Sequence, residues 1–288
     1  MSKEKPVRSD HPLFAKYPLD GTVEVDGEQL STPYHIYNGE ILLLGGTADS
    51  TVAAGLLRGE RLTPILDTDG NALMAMWVCD FTEANLGPHH ELQISLFAST
   101  KLLPPVPRHP FAIYRLLALN PAAYMVCHGL WNNVERVVRY NQVHLGLEAH
   151  LSASRFDRAK TNQQWRFQVD DAESGRPVAE GMLATPTRQP AAAMWSMLRH
   201  LGVQGAMQGA RTQFVHVPVV NTRSAFAGDN SVAHTYTRSD RQIIRRYEGA
   251  DQIVIRHQQY AELSFRPDFV QQSVGVRFVY LRPLPLPE

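Results

Sequence analysis

Lysine is scarce in this sequence. Of 28 basic residues in 288 positions only five are lysines, Lys3, Lys5, Lys16, Lys101 and Lys160. Chemistry that needs a titratable amine is confined to those five, because an arginine stays charged and cannot stand in. Cysteine is scarcer. Cys79 and Cys127 each sit in an apolar run, with no CxxC pair and no Cys/His ligand spacing. That disfavours a structural zinc and points to buried thiols of a reducing compartment. Neither charge sign is in excess, since 28 acidic residues balance the 28 basic ones, so no global field favours nucleic acid, a membrane surface or an acidic partner. No apolar run approaches membrane-spanning length, and the charged opening MSKEKPVRSDHPLF lacks the apolar stretch of a signal peptide. The expected protein is cytoplasmic, with a small-molecule substrate. Also missing are a Gly-rich phosphate loop, a GxSxG elbow and an HExxH pair, so no cofactor and no metal are expected.

What is abundant is apolar. At 44% hydrophobic the chain can bury a sizeable core. Residues 1–30, rich in Pro, Asp and Gly, read as an irregular arm. Residues 31–288 show no repeat of fixed period and no linker, and read as one mainly β domain. ILLLGG (41–46) is a short strand running into DSTVAAGLLRG, a helix that Asp49 or Ser50 can cap and Gly59 ends. NALMAMWVCDF (71–81) is apolar at odd and even positions, as in a strand buried on both faces, with a core helix as the competing reading. NVERVVRYNQVHLG has helical periodicity and stops at Gly146. A second helix is expected over Pro190 to His200. WRFQV and VAEGML flank a polar turn, and QFVHVPVV, AHTYTR, QIVIRHQQYAELSF and SVGVRFVYL complete a β-rich C-terminal half. Arg241, Arg245, Arg246 and Arg256 in that half suit a solvated face or a subunit contact.

The most informative strand is HHELQISLF. Alternation sets His90, Leu92, Ile94 and Leu96 on one face and His89, Glu91, Gln93 and Ser95 on the other. Two readings of the polar face stay open: it is wet, or it lines the inside of a barrel. In the second case Glu91 loses water, its pKa rises, and it can act as general acid or base near neutral pH. A second group of candidates, His128, Trp131, Asn141, His144 and His150, lies in HGLWNN and the helix after it.

The block LMAMWVCDFTEANLGPHHELQISLF resembles the acetoacetate decarboxylases, which share its Met-Ala-Met strand, its Leu-Gly turn and a following strand with an active-site glutamate. Glu91 occupies that glutamate's place. The likeness spans most of residues 40–280, and its specific part is 73–97. The resemblance implies a bent antiparallel sheet closing into a barrel around an apolar pocket, assembled as a homo-oligomer. It also implies a lysine of depressed pKa that forms a Schiff base, the family being a standard example of an amine activated in this way. The matching segment here is YNQVHLGLEAHL, whose nearest positions, Glu148, Ala149 and His150, carry no amine. The family's early pocket arginine falls on LLGGTAD and has no counterpart.

The expectation is therefore an enzyme of this superfamily acting on a small carbonyl or enol compound by acid-base chemistry, of lyase, dehydratase or isomerase type, without a Schiff base. Glu91, His89 and His150 are the candidate catalytic residues. Gln93, Trp77, Trp131, Asn141 and His144 are the candidate substrate contacts. The alternatives are a barrel that binds a small ligand without transforming it, and a decarboxylase using a relocated lysine, Lys101 or Lys160.

Overall fold

The computed structural model describes residues 11–159, 164–185, 215–221 and 231–285. Lys160 and the helix expected over 190–200 lie outside the described residues. The mainly β expectation holds. The first strands are β1 (Gly21–Val25), β2 (Glu28–Thr32), β3 (Tyr34–Ala48), β4 (Thr63–Pro64), β5 (Ala72–Ala84), β6 (His89–Ser99) and β7 (Ala123–Asn132). They are followed by β8 (Ala149–Ala159), β9 (Gln164–Asp171), β10 (Pro177–Ala184), β11 (Val215–Asn221) and β12 (Ser231–Arg238). The last are β13 (Arg241–Arg246), β14 (Gln252–Ile255), β15 (Arg266–Val274), β16 (Arg277–Tyr280) and β17 (Leu284–Pro285).

Seven strands close a ring in the order β3, β5, β6, β7, β11, β12, β16 and back to β3. The sheet is not wholly antiparallel, because β7 runs parallel to both β8 and β11. Both faces of the ring strands are apolar, and each face feeds a different core. Inward residues such as Ile41, Leu43, Ala75, Cys79, Phe97 and Met125 join one cluster. Their outward neighbours Leu42, Leu44, Met74, Met76, Leu92 and Ile94 join another, beneath Trp165, Phe167 and Val169 of β9. This is why NALMAMWVCDF shows no alternation: a strand sandwiched between two cores needs apolar residues on both sides.

Helices α1 (Pro12–Lys16), α2 (Ser50–Leu57), α3 (Pro110–Leu119) and α4 (Glu135–Val143) lie against the sheet. Asp49 caps α2, its carboxylate accepting the Thr51 and Val52 N–H groups at 2.9 Å each. α4 buries Val137, Val138, Tyr140 and Asn141 and is followed by Gly146 at φ 67°, a left-handed stop that glycine adopts freely.

Three expectations are corrected. The first 30 residues are not irregular throughout, since the described part holds α1 and the β1–β2 hairpin and buries Leu13, Phe14, Val25 and Leu30. QIVIRHQQYAELSF is not one strand run. After β14 it turns through the single-turn helix Gln258–Ala261, which drops Tyr260 and Leu263 into the outer core. Arg245 is not solvated; its side chain is 9% exposed and paired with the fully buried Asp251.

The two glycines of LLLGG permit a close approach. β15 bulges between Pro267 and Phe269 where it pairs with Gly46 and Gly45. A Cβ on Gly46 would lie 2.0 Å from the Arg266 carbonyl oxygen and 2.7 Å from the Pro267 Cα, whereas one on Gly45 would meet the Phe269 ring at 2.1 Å. Backbone yields less readily than a ring. Gly46→Ala is therefore expected to lower stability by about 3 kcal/mol and more than Gly45→Ala does, read as a fall in urea midpoint at unchanged m-value.

Candidate active site

Inside the ring lies a cavity of about 70 Å³ to which all seven ring strands contribute. Tyr34 and Ile41 come from β3, Trp77, Cys79 and Phe81 from β5, and Glu91 and Gln93 from β6. Met125 and Leu130 come from β7, and β11, β12 and β16 supply the rest of the wall. Asn141 of α4 and Leu147 also reach it. Of the two readings of the β6 polar face, the structure selects the enclosed one: Glu91 and Gln93 point into the ring.

Glu91 is the one acidic or basic side chain among the described lining residues. Burial pushes its carboxyl up to about 7, against the opposing pull of a hydrogen bond from Asn132. Asn132 Nδ2 donates to Glu91 Oε2 at 3.0 Å, and Asn141 Nδ2 donates to Asn132 Oδ1 at 2.9 Å. A carboxylate only accepts, so it sets the direction of this chain of amides. When Glu91 is neutral its proton belongs on Oε1, the oxygen that Asn132 leaves open. Cys79 stands directly opposite Glu91 in the β5–β6 register. Burial, and then the nearby Glu91 charge, push its thiol well above the ordinary value, so it is no nucleophile.

His89 does not line the cavity but stands behind a residue that does. Its Nδ1 lies 2.9 Å from the Gly87 carbonyl oxygen and its Nε2 lies 2.7 Å from the Tyr34 hydroxyl. A carbonyl can only accept, so Nδ1 carries the hydrogen and Nε2 accepts from Tyr34. Burial lowers His89 to about 4 and drives Tyr34 well above the usual phenol range, so both stay neutral around pH 7. The tyrosine proton is committed to His89, and the oxygen's lone pairs are left for the cavity.

Four candidates lie elsewhere. The β6–β7 register shifts between Ile94 and Ser95, whose partners are Gly129 and Cys127, so His128 is the extra residue on β7. Strict alternation from Met125 would bring Trp131 inward; the bulge turns it out and brings in Leu130 and Asn132 instead. Trp131 is buried in the outer core, and His150, its partner in the parallel β7–β8 pair, stacks on it at 5.4 Å. Both are therefore on the wrong side of the sheet for Glu91. His144 bonds Thr32 Oγ1 at 3.0 Å and packs on Tyr140, one ring removed from the lining. His128 is likewise outside, tied to the Tyr260 hydroxyl at 3.0 Å.

Tyr34 and Asn132 are the site residues that sequence reasoning missed. The segment matched to the family's lysine gives the cavity Asn141 and Leu147, and Glu148 and His150 are partly exposed. Among the described lysines, Lys16 lies over the Tyr17 ring and Lys101 is exposed; neither lines the cavity. No group of three His, Cys, Asp or Glu residues among the described residues could hold a metal.

The raised Glu91 value has a consequence for stability. Folding binds this proton more tightly than the unfolded chain does, so the stability it contributes is full below pH 4.5 and is lost as pH rises to about 7. Glu91→Gln keeps an acceptor for Asn132 and removes the titration. The variant should gain on the wild type across that window by on the order of 3 kcal/mol, measured as diverging melting temperatures. His89 titrates identically in both chains and cancels.

No family model and no curated protein matches the chain. Solved structures do. An acetoacetate decarboxylase from Legionella pneumophila superposes with a TM-score of 0.60 at 9% identity, covering 96% of this chain and 95% of that one. A second acetoacetate decarboxylase gives a TM-score of 0.56 at 10% identity, covering 88% and 89%. An acetoacetate decarboxylase-like enzyme from Sphingomonas wittichii RW1 gives 0.51 at 11% identity, covering 92% and 98%. Likeness at this identity is likeness of architecture, and over this much of each chain it means that the protein has the acetoacetate decarboxylase-like fold.

Proposed function

We propose that the protein is an enzyme that moves a proton at a carbon next to a carbonyl group of a small compound, with Glu91 as the acid-base residue and no Schiff base. One observation carries the reading: a carboxyl group with a single hydrogen-bond partner among the described residues, pushed to about 7 by burial, in the wall of a cavity inside the ring. A group titrating there is available as base and as acid in the same pH range, which is what proton removal and return require. Among solved structures of this fold, MppR, an enduracididine biosynthesis enzyme, has been crystallised with pyruvate, a small carbonyl compound.

In this mechanism ionised Glu91 takes a proton from the carbon beside the carbonyl, the C–H electron pair passes to the carbonyl oxygen as an enolate, and Glu91, now neutral, holds the proton on Oε1 for return to the same or a neighbouring atom. Asn132 keeps Oε2 occupied, so the carboxyl group presents one oxygen to the substrate. Tyr34, oriented by His89, offers an acceptor to a substrate hydroxyl or enol. Gln93, whose Nε2 donates to Ser95 Oγ at 2.6 Å, keeps its amide oxygen as a further acceptor, as Asn141 does, and its second N–H as a donor to the enolate oxygen. His89 is a positioning residue in this scheme.

The measurement is deuterium uptake from solvent into a small methyl ketone, followed by proton NMR. Glu91→Gln should slow uptake by about 10²–10⁴-fold, and Tyr34→Phe, which leaves Glu91 in place, by about tenfold, the worth of one hydrogen bond. Borohydride added with the ketone should leave every lysine unmodified. Full exchange in folded Glu91→Gln, or a reduced adduct on Lys101 or Lys160, sinks the proposal.

A further inference from the structure

We infer that the cavity beside Glu91 continues into a tail chamber, and that the ligand is a carbonyl compound bearing an unbranched apolar chain. The inference rests on the acid-base reading above and supplies its substrate class. At about 70 Å³ the cavity alone is half the ~150 Å³ in which an engineered apolar cavity holds benzene. It takes the reacting end of a molecule and little more.

Behind it lies a second space of about 20 Å³, walled by Leu43, Ala75, Phe97, Ile113, Leu117 and Phe269. Its one hydroxyl neighbour among the described residues, Tyr114, is already engaged, donating to Gln271 Oε1 at 2.9 Å. Nothing there rewards water or a polar group, and an apolar void of this kind stays dry. An alkyl chain is the matching occupant.

The two spaces share Trp77, Met125 and Val217 as common walls. Methionine has three rotatable bonds and no branch, so Met125 is a partition that a chain can push aside. Trp77 marks the junction chemically. Its indole Nε1–H is buried and has no hydrogen-bond partner among the described residues. A buried donor left unpaired is costly, and a ligand oxygen at the junction would satisfy it. A carbonyl oxygen accepting from Trp77 sets one flanking carbon toward Glu91 and the other toward the chamber. No bond is made or broken by this binding; the proton transfer remains that of Glu91.

The test is calorimetric titration of unbranched methyl ketones, from methyl ethyl to methyl hexyl ketone, into the full-length protein. Kd should tighten by about fourfold per added methylene and then level off when the chamber is full. Ala75→Val, a substitution suited to a strand, should bring that plateau forward and shrink the ratio of long-chain to short-chain affinity. Met125→Ala, which widens the passage, should move the plateau to longer chains. Trp77→Phe should weaken the whole series by about tenfold while leaving its slope. Affinity that ignores chain length, a loss in Ala75→Val equal for every ketone, or no binding at all would overturn the chamber. Because the readout is binding, each of those results leaves Glu91-dependent exchange to stand or fall separately. Chain-length dependence without Glu91-dependent exchange overturns only the acid-base reading.

Discussion

Closure of the ring depends on the pairing of β6 with β7, and one extra residue in that pairing decides what faces inward. His128 is the unmatched residue. On its N-terminal side Met125 and Cys127 point into the ring; on its C-terminal side Leu130 and Asn132 do. Without the bulge a tryptophan would fill the interior and the asparagine that holds Glu91 would lie outside. The same pairing sets Asn132 opposite Glu91 in the register, so the hydrogen bond between them follows from the ladder and not from a flexible approach.

Enclosure then determines the electrostatics. Burial raises a carboxyl pKa and lowers a histidine pKa, because each then favours its neutral form. Inside this ring Glu91 rises to about 7 and His89 falls to about 4. Tyr34 and Cys79 stay protonated. Of these four groups only Glu91 changes charge near neutrality. The neutral His89–Tyr34 pair can therefore orient a ligand without competing for its proton.

The sequence made some of this legible and hid the rest for identifiable reasons. Period-2 alternation in HHELQISLF places Glu91 and Gln93 together on one face, and the capping aspartate and terminal glycine mark α2 and the end of α4, because those signals are local. Whether the polar face was wet or enclosed depended on ring closure by strands more than a hundred residues away. Trp131 and His150 were misplaced because a bulge in a long-range ladder leaves no mark in HGLWNN. Tyr34 and Asn132 carry no motif; their roles arise from contacts with His89 and Glu91, 55 and 41 positions away. The hairpin in the first 32 residues was hidden by Asp26 and Gly27, turn residues that read as irregular chain until the flanking strands are seen to pair.

Asp251 and Glu91 differ in how far hydrogen bonds offset the burial of their carboxylates. Asp251 is fully buried. Its carboxylate accepts from both terminal nitrogens of Arg245 and from the Ala184 and Glu248 N–H groups. Burial alone would raise it, but Arg245 and those backbone donors outweigh the loss of water and hold it below the ordinary carboxylate range. Burial raises Glu91 as well, and the one hydrogen bond set against it is the amide N–H of Asn132. A core selected for stability alone would replace such a group by an apolar residue, and would also pair or remove the buried indole N–H of Trp77. Glu91 and Trp77 both line the cavity inside the ring. Uncompensated costs of this kind persist where a site needs them, and the acid-base proposal rests on two of them lining one cavity.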